Sequence, residues 1–262
     1  MKIIICKNYE EISKKAASIV MKEIRKKQDL NIGLATGSSP IGLYKNLIEA
    51  YKKNKISFMD VKSYNLDEYI GIERSHPQSY YSFMHENLFK HIDIQEKNIH
   101  IPENDITRID DLAADYNSEL HENQLDIQIL GIGSNGHIGF NEPGTPLGNE
   151  TFIVTLDEQT RMDNSRFFEN IDEVPKFAIT MGIKNIMYSK KIVLVASGKE
   201  KAKVVYKMIK GKVTNSLPAS ILQLHPDCTV ILDEASASVL VKKAAAEHQK
   251  FNKTVKQSPI KP

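Results

Sequence analysis

The chain has 262 residues, 26% of them charged, and a formal net charge of +2. That length supports one large α/β domain or two small ones with a full core, and the balanced charge leaves no basic field for nucleic acid or anionic membrane. Two cysteines, Cys6 and Cys228, are too few for a disulfide framework and lack metal-ligand spacing; without a signal peptide or a long apolar run, a cytoplasmic protein with a small ligand is expected.

Strand-like and helix-like segments alternate along the chain. Strands are predicted at residues 2–7, 30–36, 61–66, 127–132, 151–156, 191–197 and 228–232, short apolar runs bounded by polar or glycine-rich turns. Cys6 and Cys228 fall within two of them and read as structural thiols. The first helix opens on Asn8 with Glu11 as a capping box and buries Ile12, Ala16, Ile19, Val20 and Ile24. Arg25, Lys26 and Lys27 suit its C-terminal end. A second helix starts at Pro40 with Ser39 as cap and buries Leu43, Leu47 and Ile48; others are predicted over 79–91, 107–122, 199–210, 218–224 and 234–249. This alternation predicts a single-domain, three-layer, Rossmann-like α/β fold over residues 1–250, its mostly parallel central sheet flanked by helices, and a frayed tail over 251–262.

Four strands end in polar or glycine-rich sequence: LATGSSP, SYNLDEY, LGIGSNGH and LVASGKEK. In a parallel sheet these ends can converge on one crevice. Gly131, Gly133 and Gly136 match a dinucleotide fingerprint, with Asp157 where a ribose-binding acid would lie. The match fails because Gly139, Pro143, Gly144, Pro146 and Gly148 cannot form the helix that the fingerprint requires. Zinc spacing, a calcium loop, a Walker loop and a serine elbow are also missing, so neither a metal site nor a serine nucleophile is expected.

A set of polar groups carries the chemistry. Thr36, Gly37, Ser38 and Ser39 lead into a helix start, where free amides and hydroxyls suit a phosphate; an unliganded N-cap fits the same residues. Arg166 and Lys201 are candidate partners for that phosphate, or solvated surface charges. Asp67 and Glu68 adjoin on a strand, so only one can face a crevice. A carboxylate there could remove a proton beside a carbonyl, or Asp67 could cap the next segment with Glu68 in solvent. His137 and Glu142 form a candidate acid–base pair, with Asn135 placed to orient it.

Taken together, LATGSSP, NLDEY, HPQSYYSFM, GIGSNGHIGFNEPG, NSRFF and LQLHP resemble the glucosamine-6-phosphate deaminase family over nearly the whole chain. The resemblance implies a catalytic domain that converts glucosamine 6-phosphate and water to fructose 6-phosphate and ammonia without a cofactor. It implies Asp67 as the C2 base and His137 as the ring-opening group, supported by Asn135 and Glu142. It also implies phosphate contacts on the Ser38 and Ser39 loop, Arg166 and Lys201. Asn135 stands where some members carry Asp, so it can orient but not accept a proton as a carboxylate does. Phe152 and Val154 replace basic residues that regulated members use to bind an activating phosphosugar, which implies a non-allosteric enzyme. Self-association is open, since the family includes monomers and hexamers.

Two alternatives compete. A 6-phosphogluconolactonase has a similar glycine-histidine loop but needs no C2 base, and NLDEY with FNEP argues against it. A sugar-phosphate sensor coupled to DNA would need a reading module, for which a first strand starting at Lys2 leaves no room.

Overall fold

The computed structural model describes residues 1–156, 162, 168 and 170–257. Its strands, in chain order, are β1 (Lys2–Cys6), β2 (Asn31–Leu34), β3 (Lys62–Asn65), β4 (Asp67–Tyr69), β5 (Ile99–His100), β6 (Ile127–Leu130), β7 (Phe152–Thr155), β8 (Phe177–Thr180), β9 (Ile192–Ala196) and β10 (Cys228–Asp233). The α-helices are α1 (Tyr9–Lys26), α2 (Ile41–Lys52), α3 (Tyr80–Asn87), α4 (Ile109–Glu122), α5 (Ile183–Tyr188), α6 (Ala202–Lys210) and α7 (Glu234–Gln257).

Seven strands form a wholly parallel sheet in the order β1-β10-β9-β6-β2-β3-β5. Apolar side chains cover both faces, as a buried parallel sheet requires. One face packs against Ile12, Leu43 and Met84 from α1, α2 and α3. The other packs against Leu112, Ile183, Val204 and Ala237 from α4 to α7. The predicted three-layer α/β fold is therefore the observed one. No helix among the described residues is long and apolar enough to cross a membrane.

Helix α1 shows how local sequence sets an element. Asn8 Oδ1 accepts the Glu11 N–H at 3.0 Å, while Glu11 Oε2 accepts from Lys7 N–H at 2.9 Å, one residue before the expected box partner. Ile12, Ala16, Val20 and Ile24 are buried beneath it, with Ile19 at the margin.

Several expectations need correction. The strand expected at 151–156 does not join the parallel sheet: β7 pairs antiparallel with β8, which also pairs antiparallel with β4. This small sheet escaped the sequence reading because β4 follows β3 after the single residue Leu66 and pairs with β8 from a distant part of the chain. Strand β5 and helix α5 are short and were likewise not predicted. Residues 218–224 form a 3-10 helix, and 3-10 turns open the segments at 106–108 and 199–201. Ser39 is not the cap of α2; Pro40 occupies that position without a side-chain hydrogen bond, and its carbonyl accepts Tyr44 N–H at 2.9 Å. Helix α7 continues to Gln257, beyond the predicted 249 and into the segment expected to fray. Cys228 is buried and its thiol pushed up to about 12 by desolvation, whereas Cys6 is only half-buried.

Candidate active site

Strands β2 and β6 are neighbours, yet the chain leaves β2 toward β3 and β5 and leaves β6 toward β9 and β10. That reversal opens a crevice at the carboxyl ends of the strands, the usual ligand position in such sheets. A cavity of about 490 Å³ lies there, and all four polar strand ends contribute to its wall: Thr36 to Ser39, Asp67, Gly131 to Ser134, and Lys201.

Tyr9 on α1 organises the first of these segments. Its hydroxyl donates toward the Ser38 and Ser39 carbonyls at 2.9 and 3.2 Å and accepts Gly42 N–H at 2.8 Å. Tyr44 secures the strand end from the other side, donating to Ala35 O at 2.5 Å. Gly37 has φ +85°, which turns the loop so that Thr36, Ser38 and Ser39 border the cavity. Lys201 is the only cation among the described residues lining it. The loop leads into the N-terminus of α2, the end of a helix that suits an anion.

Asp67 and Glu68 separate as their alternation on a strand demands. Asp67 faces the cavity yet is only 6% exposed, and burial, aided by the neighbouring Glu68 charge, pushes its carboxyl up to about 8. Glu68 points the other way and is buried. Its carboxylate accepts from Tyr69 and Tyr80 N–H at 2.8 and 2.9 Å and from Tyr81 N–H at 2.9 Å, closing the N-terminus of α3. Glu68 is therefore the capping carboxylate, rather than Asp67, and it is not in solvent. Its carboxyl is raised by burial, which those amide bonds only partly offset.

His137 sits on the loop after β6 with Nδ1 3.0 Å from Glu142 Oε1. The carboxylate lies beside the ring nitrogen without in-line hydrogen-bond geometry. Asn135 connects the pair: its Nδ2 donates to Glu142 Oε2 at 2.6 Å, and its Oδ1 accepts His137 N–H at 3.1 Å. Two glycines make this arrangement possible. A Cβ at Gly133 would lie 2.3–2.5 Å from the His137 ring, and Gly136 has φ +95°. The far side of the loop is anchored to β8, where Phe140 N–H donates to Thr180 Oγ1 at 3.1 Å and Asn141 Nδ2 to Met181 O at 2.8 Å.

Residues 7–231 match the family described as glucosamine-6-phosphate isomerases/6-phosphogluconolactonase. The chain belongs to this family. A glucosamine-6-phosphate deaminase of Thermoanaerobacter pseudethanolicus is 52% identical over 241 residues, 92% of this chain and 95% of the relative. One from Clostridium novyi is 51% identical, covering 92% of this chain and all of the relative. Among solved structures, a monomeric glucosamine-6-phosphate deaminase superposes with a TM-score of 0.87 at 44% identity, over 91% of this chain and 100% of its own. A 6-phosphogluconolactonase from Leishmania guyanensis reaches a TM-score of 0.70 at 20% identity, a likeness of fold alone.

Within this family fold, Thr36, Gly37, Ser38, Ser39, Asp67, His137, Glu142 and Lys201 share one cavity wall. Asn135 stands behind it, holding His137 and Glu142. Arg166 and Asp157 lie outside the described residues. The sequence reading missed an aromatic wall of Tyr69, Tyr80 and Phe140, with ring centroids 5.0, 5.8 and 6.2 Å apart. The available signal was DEY followed by HPQSYY, which puts tyrosines next to the acidic pair once α3 is capped by Glu68. Among the described residues no cluster of His, Cys, Asp or Glu could hold a metal ion.

Proposed function

We propose that the chain is a glucosamine-6-phosphate deaminase, an isomerising hydrolase of amino-sugar breakdown that yields fructose 6-phosphate and ammonia. One observation carries the mechanism: a desolvated carboxylate, Asp67, and an acid–base pair, His137 with Glu142, line the same cavity. An ester hydrolase would have no use for both.

The phosphate binds the Thr36 to Ser39 cradle, with Lys201 supplying charge; Arg166 joins on its sequence position alone. His137 moves a proton from the anomeric hydroxyl to the ring oxygen, and the pyranose opens to an amino-aldehyde. Glu142 stabilises the imidazolium form during that transfer, and Asn135 holds the carboxylate in place. The C1 carbonyl acidifies C2, and as ionised Asp67 removes the C2 proton, O1 takes up a proton from solvent to give an enolamine. Returning the proton to C1 leaves an iminium at C2, which loses a nitrogen proton to become the imine, so C1 is reduced as C2 is oxidised. Water adds to C2, the C–N bond breaks, and ammonia leaves. The sugar's own carbonyl provides the electron sink, so the protein supplies positioning and proton transfer. The apolar wall of Tyr69, Tyr80 and Phe140 keeps Asp67 poorly solvated and therefore basic.

The catalytic unit spans residues 1–250 as a single domain, acts in the cytoplasm on a small phosphosugar, and requires neither nucleic acid nor membrane. Incubation of the purified protein with glucosamine 6-phosphate is expected to release fructose 6-phosphate and ammonia in equal amounts. Neither product, or hydrolysis of 6-phosphogluconolactone instead, overturns the assignment.

A further inference from the structure

Lys201 reaches the cavity from a turn that is held by a different strand. Strands β9 and β10 run side by side, with Ala196 level with Leu232, so Ser197 leaves β9 beside Asp233, the last residue of β10. Asp233 is only 7% exposed. Ser197 Oγ donates to its Oδ2 at 2.8 Å, and Gly198 N–H lies 3.2 and 3.1 Å from its two oxygens. Ser236 N–H donates to Oδ1 at 2.7 Å, which joins the same carboxylate to the start of α7. Burial alone would raise the Asp233 carboxyl, but the bonds from Ser236, Ser197 and Gly198 outweigh it and hold the group below its usual range. The constraint then passes along the chain. Gly198 has φ +96°, a conformation that favours glycine, and its carbonyl accepts Lys201 N–H at 3.2 Å.

We propose that Asp233 is a positioning residue for the phosphate half of the site: from β10 it fixes the Ser197 and Gly198 turn and thereby aims Lys201 at the substrate phosphate. The proposal rests on the deaminase reading for the identity of the sugar, whereas its central claim concerns phosphate affinity and can be read without turnover.

Asp233→Asn keeps the side-chain size but replaces one accepting oxygen with an amide N–H₂ that cannot accept from Gly198 or Ser197. Loss of such bonds to a charged group is expected to raise KM for glucosamine 6-phosphate about tenfold, with kcat reduced by less than about threefold. The dissociation constant for inorganic phosphate, measured by calorimetry, should rise by the same factor. Ser197→Ala removes a single bond and leaves the α7 contact intact, so a rise of about threefold in the phosphate constant keeps the test readable where Asp233→Asn folds poorly. In a Lys201→Ala background, Asp233→Asn should cause no further loss of phosphate affinity. Unchanged phosphate binding in the folded variants, or full additivity with Lys201→Ala, overturns the proposal. A parent protein that binds phosphate but forms no fructose 6-phosphate would refute the deaminase reading while leaving Asp233 to be judged on the phosphate data.

Discussion

Asp67→Asn should make the protein less sensitive to alkali while abolishing turnover. The Asp67 carboxyl is pushed from 3.8 up to about 8 by burial and the Glu68 charge. Below the lower value both folded and unfolded chains keep the proton. Between the two values the unfolded chain releases it and the folded protein does not, so stability falls as pH rises; above the upper value the loss levels off. Each pH unit in this window costs about 1.36 kcal/mol, so the interval from pH 5 to pH 8 corresponds to ~4 kcal/mol. Asparagine has no proton to release, and the other groups largely cancel when variant and parent are compared. Denaturant unfolding at pH 5, 6, 7 and 8 should therefore show the variant gaining on the parent by ~4 kcal/mol across the series. In thermal melts the same gain is roughly 8–16 °C for a chain of this size. Parallel pH curves for the two proteins would refute a desolvated Asp67. The same group predicts that kcat/KM rises with pH to about 8, because the free enzyme must ionise its base.

Glu142→Gln leaves His137 beside a neutral amide, and kcat should fall about 100-fold while phosphate still binds, measured by steady-state kinetics and calorimetry. Glu68→Ala strips three backbone amides of their acceptor at the start of α3 and should destabilise the fold by about 3 kcal/mol in denaturant titrations. Gly182→Ala would press a methyl against the Asn149 and Glu150 carbonyl oxygens at 2.2 Å, backbone atoms that cannot rotate away; a loss of at least ~2 kcal/mol is expected in the same assay. With Phe152 and Val154 on β7, N-acetylglucosamine 6-phosphate should leave the rate curve hyperbolic and unactivated. A sigmoidal curve that becomes hyperbolic on its addition would contradict this.

Long periodic segments were legible in the sequence. Helix α1 declared its start through Asn8 and its buried face through Ile12, Ala16 and Val20, and Ile127, Ile129 and Leu130 declared a strand covered on both sides. The strand ends that form the cavity were legible too, because glycine and hydroxyl residues directly after an apolar run mark the point where a strand gives way to a turn. The features that stayed hidden depend on tertiary partners. Asp67 and Glu68 look alike in sequence, and only the positions of α3 and the cavity assign one to capping and the other to the site. Tyr9 lies 29 residues before the carbonyl it secures, a contact that no local pattern announces. Strands β4 and β8 pair across a long stretch of sequence, which no local pattern announces either.

Those two short strands matter for more than architecture. The parallel sheet supplies the Thr36 to Ser39 loop, Lys201 and the histidine loop to the cavity wall. The small antiparallel sheet adds Asp67, the proposed base. Asp67 on β4 is in register with Thr180 on β8, and the Thr180 hydroxyl also receives the Phe140 amide from the histidine loop. One residue thus joins the strand bearing Asp67 to the loop bearing His137, although the two are 70 positions apart in sequence. Ring opening and C2 deprotonation must act on the same bound sugar, so their groups need a fixed separation, and errors of about 1 Å are costly to catalysis. In the proposed mechanism, the Thr180 strand pairing and hydrogen bond tie together the two segments that need that separation.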